Sequence, residues 1–251
     1  MGSALLQAWS KQKNFSFDVV DPVNYKKINK KYVNKIKAHK NLLDVKNLSS
    51  IDIVIFAVKP QITPSVLKQI SFINFNKKTI FVSIVAGIKI SFFNKFLRRY
   101  KQFIRVMPNM PAMINKGMSC LVASKSVSTR NKSKIDSLFL KVGKTLWLKK
   151  ETDINVVTAI SGSGPGYIFL IVDAFEKAAL KLGLSQKDSQ ELVYQTFLGS
   201  IELILNNNES AIKLAQNIAV SGGTTEAAFK MFLNKKVLHK TFEKAVNAAY
   251  K

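Results

Sequence analysis

Short apolar runs alternate with stretches of helical period over the first 150 residues of the chain, and beyond that point the alternation stops. Phe15 to Val20, Ile51 to Val58, Thr79 to Val85, Phe103 to Val106, Met118 to Ala123 and Thr145 to Leu148 are β-branched or aromatic runs of strand length. Ile51-Asp52-Ile53-Val54-Ile55-Phe56-Ala57-Val58 is almost continuously apolar, as a strand covered by helices on both faces must be. This rhythm predicts a parallel α/β, Rossmann-like domain over residues 1–150. After Glu151 the period is helical throughout: Ile154 to Ile160, Tyr167 to Leu182, Lys187 to Leu205, Ala211 to Ala219, Thr224 to Leu233 and Thr241 to Tyr250. Residues 151–251 are therefore expected to form an all-α domain.

The stretch from Tyr167 carries Ile168, Ile171, Val172, Phe175, Ala179 and Leu182 on one face, and Phe169, Leu170 and Ala174 on other sides. A helix wet over a broad face does not have this composition. Its apolar surface predicts burial by its own domain or by a second copy of the chain, and a homodimer or larger homo-oligomer is expected.

Composition narrows the function classes. With 251 residues and 47% apolar content the chain has ample material for a core. The longest apolar runs, Ile51 to Val58 and Tyr167 to Val172, are too short to span a bilayer, so no membrane association is expected. The N-terminus shows no charged leader followed by an apolar core, and Leu6 stands where a myristoylation signal needs Ser or Thr. Cys120, alone, excludes an internal disulfide and fits a reducing cytoplasm. The net charge of +24 raises the question of nucleic acid. Only Arg98, Arg99, Arg105 and Arg130 offer the bidentate phosphate fork, while lysine and asparagine are scattered on solvated faces, as from Asn24 to Lys40. No aromatic-interleaved basic stripe accompanies them, and no dedicated nucleic-acid partner is expected.

Two places carry candidate chemistry. Ser221-Gly222-Gly223-Thr224-Thr225-Glu226 opens a helix, where unpaired N–H groups, the positive dipole end and paired glycines make a cradle for a carboxylate or phosphate. The same residues would also make an ordinary helix cap. At the other end, Met1 to Trp9 reads as an amphipathic helix and Phe15 to Val20 as the second strand of a dinucleotide-binding fold. Asp21 closes that strand 19 residues beyond Gly2, where an acidic side chain meets ribose hydroxyls; Asp21-Pro22 is equally an ordinary strand-end turn.

Further motifs fall in a specific order: Ala57-Val58-Lys59-Pro60, Val82-Ser83-Ile84-Val85-Ala86-Gly87, Arg105-Val106-Met107-Pro108-Asn109-Met110-Pro111-Ala112, Ala159-Ile160-Ser161-Gly162-Ser163-Gly164-Pro165-Gly166-Tyr167, and then the Ser-Gly-Gly-Thr-Thr bend. With these motifs the chain resembles the pyrroline-5-carboxylate reductase family, in register from Met1 to about Tyr250. The resemblance implies a Rossmann-like domain binding NADPH or NADH, and a helical dimerisation domain. It places the pocket for 1-pyrroline-5-carboxylate between the domains and against the partner subunit, with hydride passing to the ring C=N carbon to give L-proline. By the same resemblance Ser221, Gly222, Gly223, Thr224, Thr225 and Ser163 bind substrate, its carboxylate on the N–H groups of Gly223, Thr224 and Thr225. Thr225 helps protonate the ring nitrogen. Met1, Gly2, Asp21, Val58, Lys59, Pro60, Ala86, Gly87 and Asn109 bind the cofactor.

Three departures from the family pattern stand out. The family opens with a strand and a Gly-x-Gly-Asn-Met-Gly turn, of which Met1 and Gly2 remain, so a misassigned start or a decayed gene is expected. Met110 stands where the family usually has threonine. Asp21 would repel a 2′-phosphate, with Lys26 and Lys27 near enough in sequence to offset it, which leaves NADPH and NADH both open. The alternatives are a truncated paralogue that dimerises without turnover, and a hydroxyacid dehydrogenase; the latter would ordinarily need a lysine base in the helical domain, and no motif singles one out.

Overall fold

The computed structural model describes residues 1–33 and 36–250. They form two compact units, Met1–Gly162 and Ser163–Lys251. The strands end before residue 151, but the short helix and turn that follow pack with the first unit.

In that unit the order is α1 (Gly2–Trp9), β1 (Phe17–Val20), α2 (Tyr25–Lys31), β2 (Ile36–His39), β3 (Ile53–Phe56), α3 (Thr63–Ser71), β4 (Ile80–Ser83), α4 (Ile90–Phe96), β5 (Phe103–Met107), β6 (Gly117–Ala123), α5 (Thr129–Phe139), β7 (Gly143–Trp147) and α6 (Asp153–Val157). A π turn over Thr158–Gly162 closes it. Strands β1 and β2 make a parallel pair, and β3-β4-β5-β6-β7 make a five-stranded sheet. Within the larger sheet β3, β4 and β5 are parallel, and so are β6 and β7, but β6 runs antiparallel to β5. The sheet of the expected parallel α/β domain is thus mixed, with one antiparallel pair. Only the residues from Pro108 to Lys116 link β5 to β6, too few for a crossover helix, so the chain reverses through a 3₁₀ turn at Met110–Ile114 and left-handed Asn115.

Strand β2 was not expected either. It lies in the lysine- and asparagine-rich run, of which Asn34 and Lys35 fall outside the described residues. Ile36 and Ala38 are buried while Lys37 points out, an alternation too short to stand out among so many lysines.

The central strands feed two cores. Ile80 and Val82 of β4 and Ile104 and Val106 of β5 face Leu5, Ala8 and Trp9 of α1 and Ile135, Leu138 and Phe139 of α5. The alternate residues Phe81 and Phe103 face Leu67 and Ile70 of α3, Phe93 of α4, Leu97 and Tyr100. Period-2 alternation with both faces apolar is what a sheet covered on both sides requires. The Phe81 ring lies 5.4 Å from Phe103 and 4.8 Å from Tyr100, centroid to centroid, and the Tyr100 hydroxyl accepts from the Phe75 N–H at 2.9 Å.

The second unit contains α7 (Gly164–Lys181), α8 (Gln186–Asn206), α9 (Ala211–Ile218), α10 (Thr224–Leu233) and α11 (Val237–Ala249). Among its described residues only Ser189 and Val193 are buried. Phe169 (57% exposed), Leu170 (70%), Ile201 and Leu205 lie open. The apolar surface expected from the α7 sequence is therefore real, and its own unit does not cover it. Residues Asp153–Lys181 run as a 29-residue helical stretch, long and apolar enough by length and composition to cross a membrane. The uninterrupted apolar runs in the sequence do not reveal it, because the stretch mixes Asn155, Thr158 and Ser161 with its apolar residues.

Candidate active site

The parallel register aligns Phe56, Ser83 and Arg105 across β3, β4 and β5, so the loops that follow these residues share one sheet edge. Val58, Lys59 and Pro60 follow β3, Ala86 and Gly87 follow β4, and Asn109 follows β5. Ligands of doubly wound sheets bind at such carboxyl ends. The first turn of α1 reaches the same edge: a Cβ placed on Gly2 would lie 3.4 Å from the Ala57 Cβ. Gly87 has φ +74° with nothing within 4 Å of a Cβ built on it, so its glycine serves the turn conformation and leaves the edge open. Lys59 is exposed, and its carbonyl accepts from the Thr63 hydroxyl at 3.1 Å. Small residues at Gly2, Ala57, Ala86 and Gly87, with open space beyond Gly87, fit a dinucleotide laid along this edge.

Asp21 closes β1, its N–H donating to the His39 carbonyl at 3.1 Å. Its carboxylate turns back on its own loop: Oδ1 accepts from the N–H groups of Val23 (3.0 Å) and Asn24 (2.9 Å), and Asn24 Nδ2 donates to both oxygens. Partial burial pushes the carboxyl up, but the bonds from Asn24 and Val23 outweigh it and hold the group below the ordinary aspartate range. Asp21 therefore stays ionised while making the strand-end turn. Among the described residues it has no cationic partner, and neither Lys26 nor Lys27 pairs with it.

In the second unit the Ser221–Thr225 bend is a tight turn into α10. Gly222 has φ +76°, which favours glycine, and Gly223 is the residue before the helix. The Gly223 N–H is already donated to the Val220 carbonyl at 2.9 Å, so it is not available in the way the motif suggested. Thr224 and Thr225 occupy the first helical positions, whose N–H groups have no intrahelical acceptor. The Glu226 carboxylate accepts from the Gly222 N–H at 2.8 Å, so this bend already holds one carboxylate by its backbone. Glu226, three residues beyond Gly223, has capping-box spacing, a signal present in the sequence. The Thr225 hydroxyl makes no bond with any described residue, in contrast to Thr158, Thr196 and Thr241, whose hydroxyls donate to carbonyls four residues back. Thr225 is half-buried. Ser163 precedes α7, its carbonyl accepting from the Gly166 N–H at 2.9 Å and its side chain making no cap bond.

Nothing in the sequence marked two interactions at the end of β5. Arg105 is buried and donates to Glu151 Oε1 at 3.2 Å, and the same oxygen accepts from the Ile90 N–H at 2.7 Å, at the start of α4. Asn109 Oδ1 accepts from the Met118 N–H at 2.8 Å, and its Nδ2 donates to the Ser161 carbonyl at 3.1 Å. Among the described residues no group of three or more His, Cys, Asp or Glu side chains is placed to hold a metal. Cys120 is buried in β6, and burial pushes its thiol up, away from reactivity.

A mostly parallel sheet with open, small-residue loops at its strand ends, followed by a helical unit with uncovered apolar faces, defines a nicotinamide-dependent oxidoreductase of the two-domain kind. Residues 4–132 match the model of the NAD-dependent glycerol-3-phosphate dehydrogenase N-terminus, and residues 151–251 match that of pyrroline-5-carboxylate reductase dimerisation. The pyrroline-5-carboxylate reductase of Haemophilus influenzae is 37% identical over 198 residues, which is 78% of this chain and 72% of the relative. Among solved structures, a pyrroline-5-carboxylate reductase from Coxiella burnetii superposes with TM-score 0.87 at 27% identity, covering 99% of this chain and 92% of its own. The Plasmodium falciparum pyrroline carboxylate reductase with NADP bound gives 0.83 at 28% identity, covering 99% and 91%. The chain belongs to the pyrroline-5-carboxylate reductase family. Its first unit is a nicotinamide-dinucleotide domain, and its helical unit falls within the match to the family's dimerisation domain, which suggests a homo-oligomer.

Proposed function

We propose that this chain reduces the C=N bond of 1-pyrroline-5-carboxylate to give L-proline, the last step of proline biosynthesis, with NADPH or NADH as the reductant, as a homodimer or larger homo-oligomer in the cytoplasm. The observation that carries this reading is the start of α10, where two unpaired N–H groups and an uncommitted hydroxyl stand on adjacent residues. The N–H groups of Thr224 and Thr225 take the substrate carboxylate, while Ser221, Gly222 and Gly223 form a bend free of bulky side chains. The Thr225 hydroxyl hydrogen-bonds the ring nitrogen and helps deliver its proton, which Thr158-type back-bonding would prevent. Ser163 contacts the substrate from the segment leading into α7.

The dinucleotide, when bound, supplies the hydride. Met1 and Gly2 at the start of α1, Val58 to Pro60, Ala86, Gly87 and the Asn109 loop hold it along the strand ends, with Asp21 at the ribose. The test is direct. Purified protein given 1-pyrroline-5-carboxylate and NADPH or NADH is expected to oxidise the nicotinamide, followed at 340 nm, with equimolar proline formed. A folded oligomer that forms no proline with either cofactor would instead be a dimerising paralogue without turnover.

A further inference from the structure

The segment from Glu151 through the π turn, which ends the sheet unit, is held near its start by β5 and near its end by the loop after β5. Arg105 within β5 binds Glu151, two residues before α6, and Asn109 just beyond β5 binds the Ser161 carbonyl, one residue before Gly162. Between these anchors the Thr158 hydroxyl closes on the Ile154 carbonyl at 2.6 Å. Gly162 lies so close to Met107 that a Cβ there would come within 3.0 Å of the Met107 methyl. A π turn costs backbone hydrogen-bond geometry and persists where surrounding contacts fix it.

The Asn109 side chain is the piece of this arrangement that bridges two loops. Its oxygen takes the Met118 N–H and its nitrogen gives to Ser161. Each polar end thus has a partner inside the protein, and the two bonds fix the plane of the carboxamide between the two loops. Ser161 also has a buried hydroxyl oxygen without a hydrogen-bond partner, so its carbonyl bond to Asn109 is the side-chain contact that fixes this residue.

The geometry points to Asn109 as a positioning residue: it sets the Ser161–Gly162 backbone, the end of the sheet unit that leads into Ser163, rather than binding the cofactor through its carboxamide. The kinetic part of this inference rests on the proposed reductase reaction; the structural part does not. Losing the bond leaves a partly buried carbonyl unpaired.

Asn109→Asp keeps the acceptor for Met118 but turns an oxygen toward the Ser161 carbonyl, and Asn109→Ser removes the bridge without adding charge. Hydrogen exchange of the amides from residues 158 to 164 is expected to accelerate about ten-fold in both variants and that of Met118 in the Ser variant alone, with the rest of the sheet unit unchanged. Titrations with NADPH and with NADH are expected to give dissociation constants within about two-fold of wild type. The KM for 1-pyrroline-5-carboxylate is expected to rise about ten-fold, the equivalent of the lost bond. Unchanged exchange over residues 158–164 in the Ser variant would overturn the inference, as would a loss of dinucleotide affinity matching or exceeding the change in KM. If the wild-type protein does not turn over pyrroline-5-carboxylate, the failure lies with the proposed reaction, and the exchange and dinucleotide titrations still decide the role of Asn109.

Discussion

The indole N–H of Trp9 donates to the backbone carbonyl of Leu138 at 2.8 Å, tying the first helix of the chain to α5 across 129 positions of sequence. The same ring meets Phe139 edge-on at 5.5 Å and stacks on Phe17 at 6.4 Å. One side chain therefore joins α1, β1 and α5, and it fixes the helix whose first turn rests against Ala57 at the cofactor edge. Trp9→Phe keeps most of the apolar contact and removes the indole donor from the Leu138 carbonyl, which keeps a backbone donor, so it should lower unfolding free energy by about 0.5–1.5 kcal/mol. Trp9→Ala adds a cavity and should cost about 3–5 kcal/mol. Urea unfolding at a fixed protein concentration checks both, since self-association would shift the midpoint.

Apolar residues left open in the helical unit make a second prediction. Phe169 and Leu170 on α7, with Ile201 and Leu205 on α8, are left exposed among the described residues. Sedimentation at micromolar concentration should give a dimer or larger species. Leu170→Glu should weaken it by at least ten-fold if that residue is interfacial, since an uncompensated charge would be buried. A stable, well-folded monomer of the wild type would refute this account of the helical surface.

Asp21 links charge to cofactor choice and to pH. Its turn bonds favour the ionised form, so the stability they contribute is complete above the range where a free aspartate titrates and is lost as pH falls through the lower, folded-state pKa. Between about pH 5 and pH 2, stability should therefore fall more steeply in wild type than in Asp21→Asn, as urea midpoints across that range would record. The substitution also removes a negative charge beside the expected ribose position. The ratio of kcat/KM for NADPH to that for NADH should rise several-fold; an unchanged ratio would place Asp21 in the turn alone.

Apolar runs made β3, β4 and β5 legible, as a strand covered on both faces requires, although β4 ends on buried Ser83 and β5 holds buried Arg105. Their ends were less so: Ile51 and Ala57 are apolar yet lie outside the ladder, where backbone pairing rather than side-chain character sets the limit. Helix α11 starts at Val237, before the expected Thr241, because left-handed Lys235 and Lys236 make the break, and lysine carries no sequence signal for that conformation. The Ser221–Thr225 bend was readable because its glycines and threonines are adjacent in sequence. Contacts such as Gly2 with Ala57, Arg105 with Glu151 and Asn109 with Ser161 join distant residues of ordinary type, and local pattern cannot announce them.

In the proposed reaction the Thr225 hydroxyl, free of its own helix, serves the ring nitrogen of the substrate. The most direct measurement is kcat of Thr225→Ala with 1-pyrroline-5-carboxylate, alongside the dissociation constant for NADPH. Losing one transition-state hydrogen bond and its proton path should lower kcat on the order of 10²-fold while cofactor affinity stays within about two-fold. Wild-type turnover in a folded Thr225→Ala protein would contradict the assignment and leave the proton to water or another group.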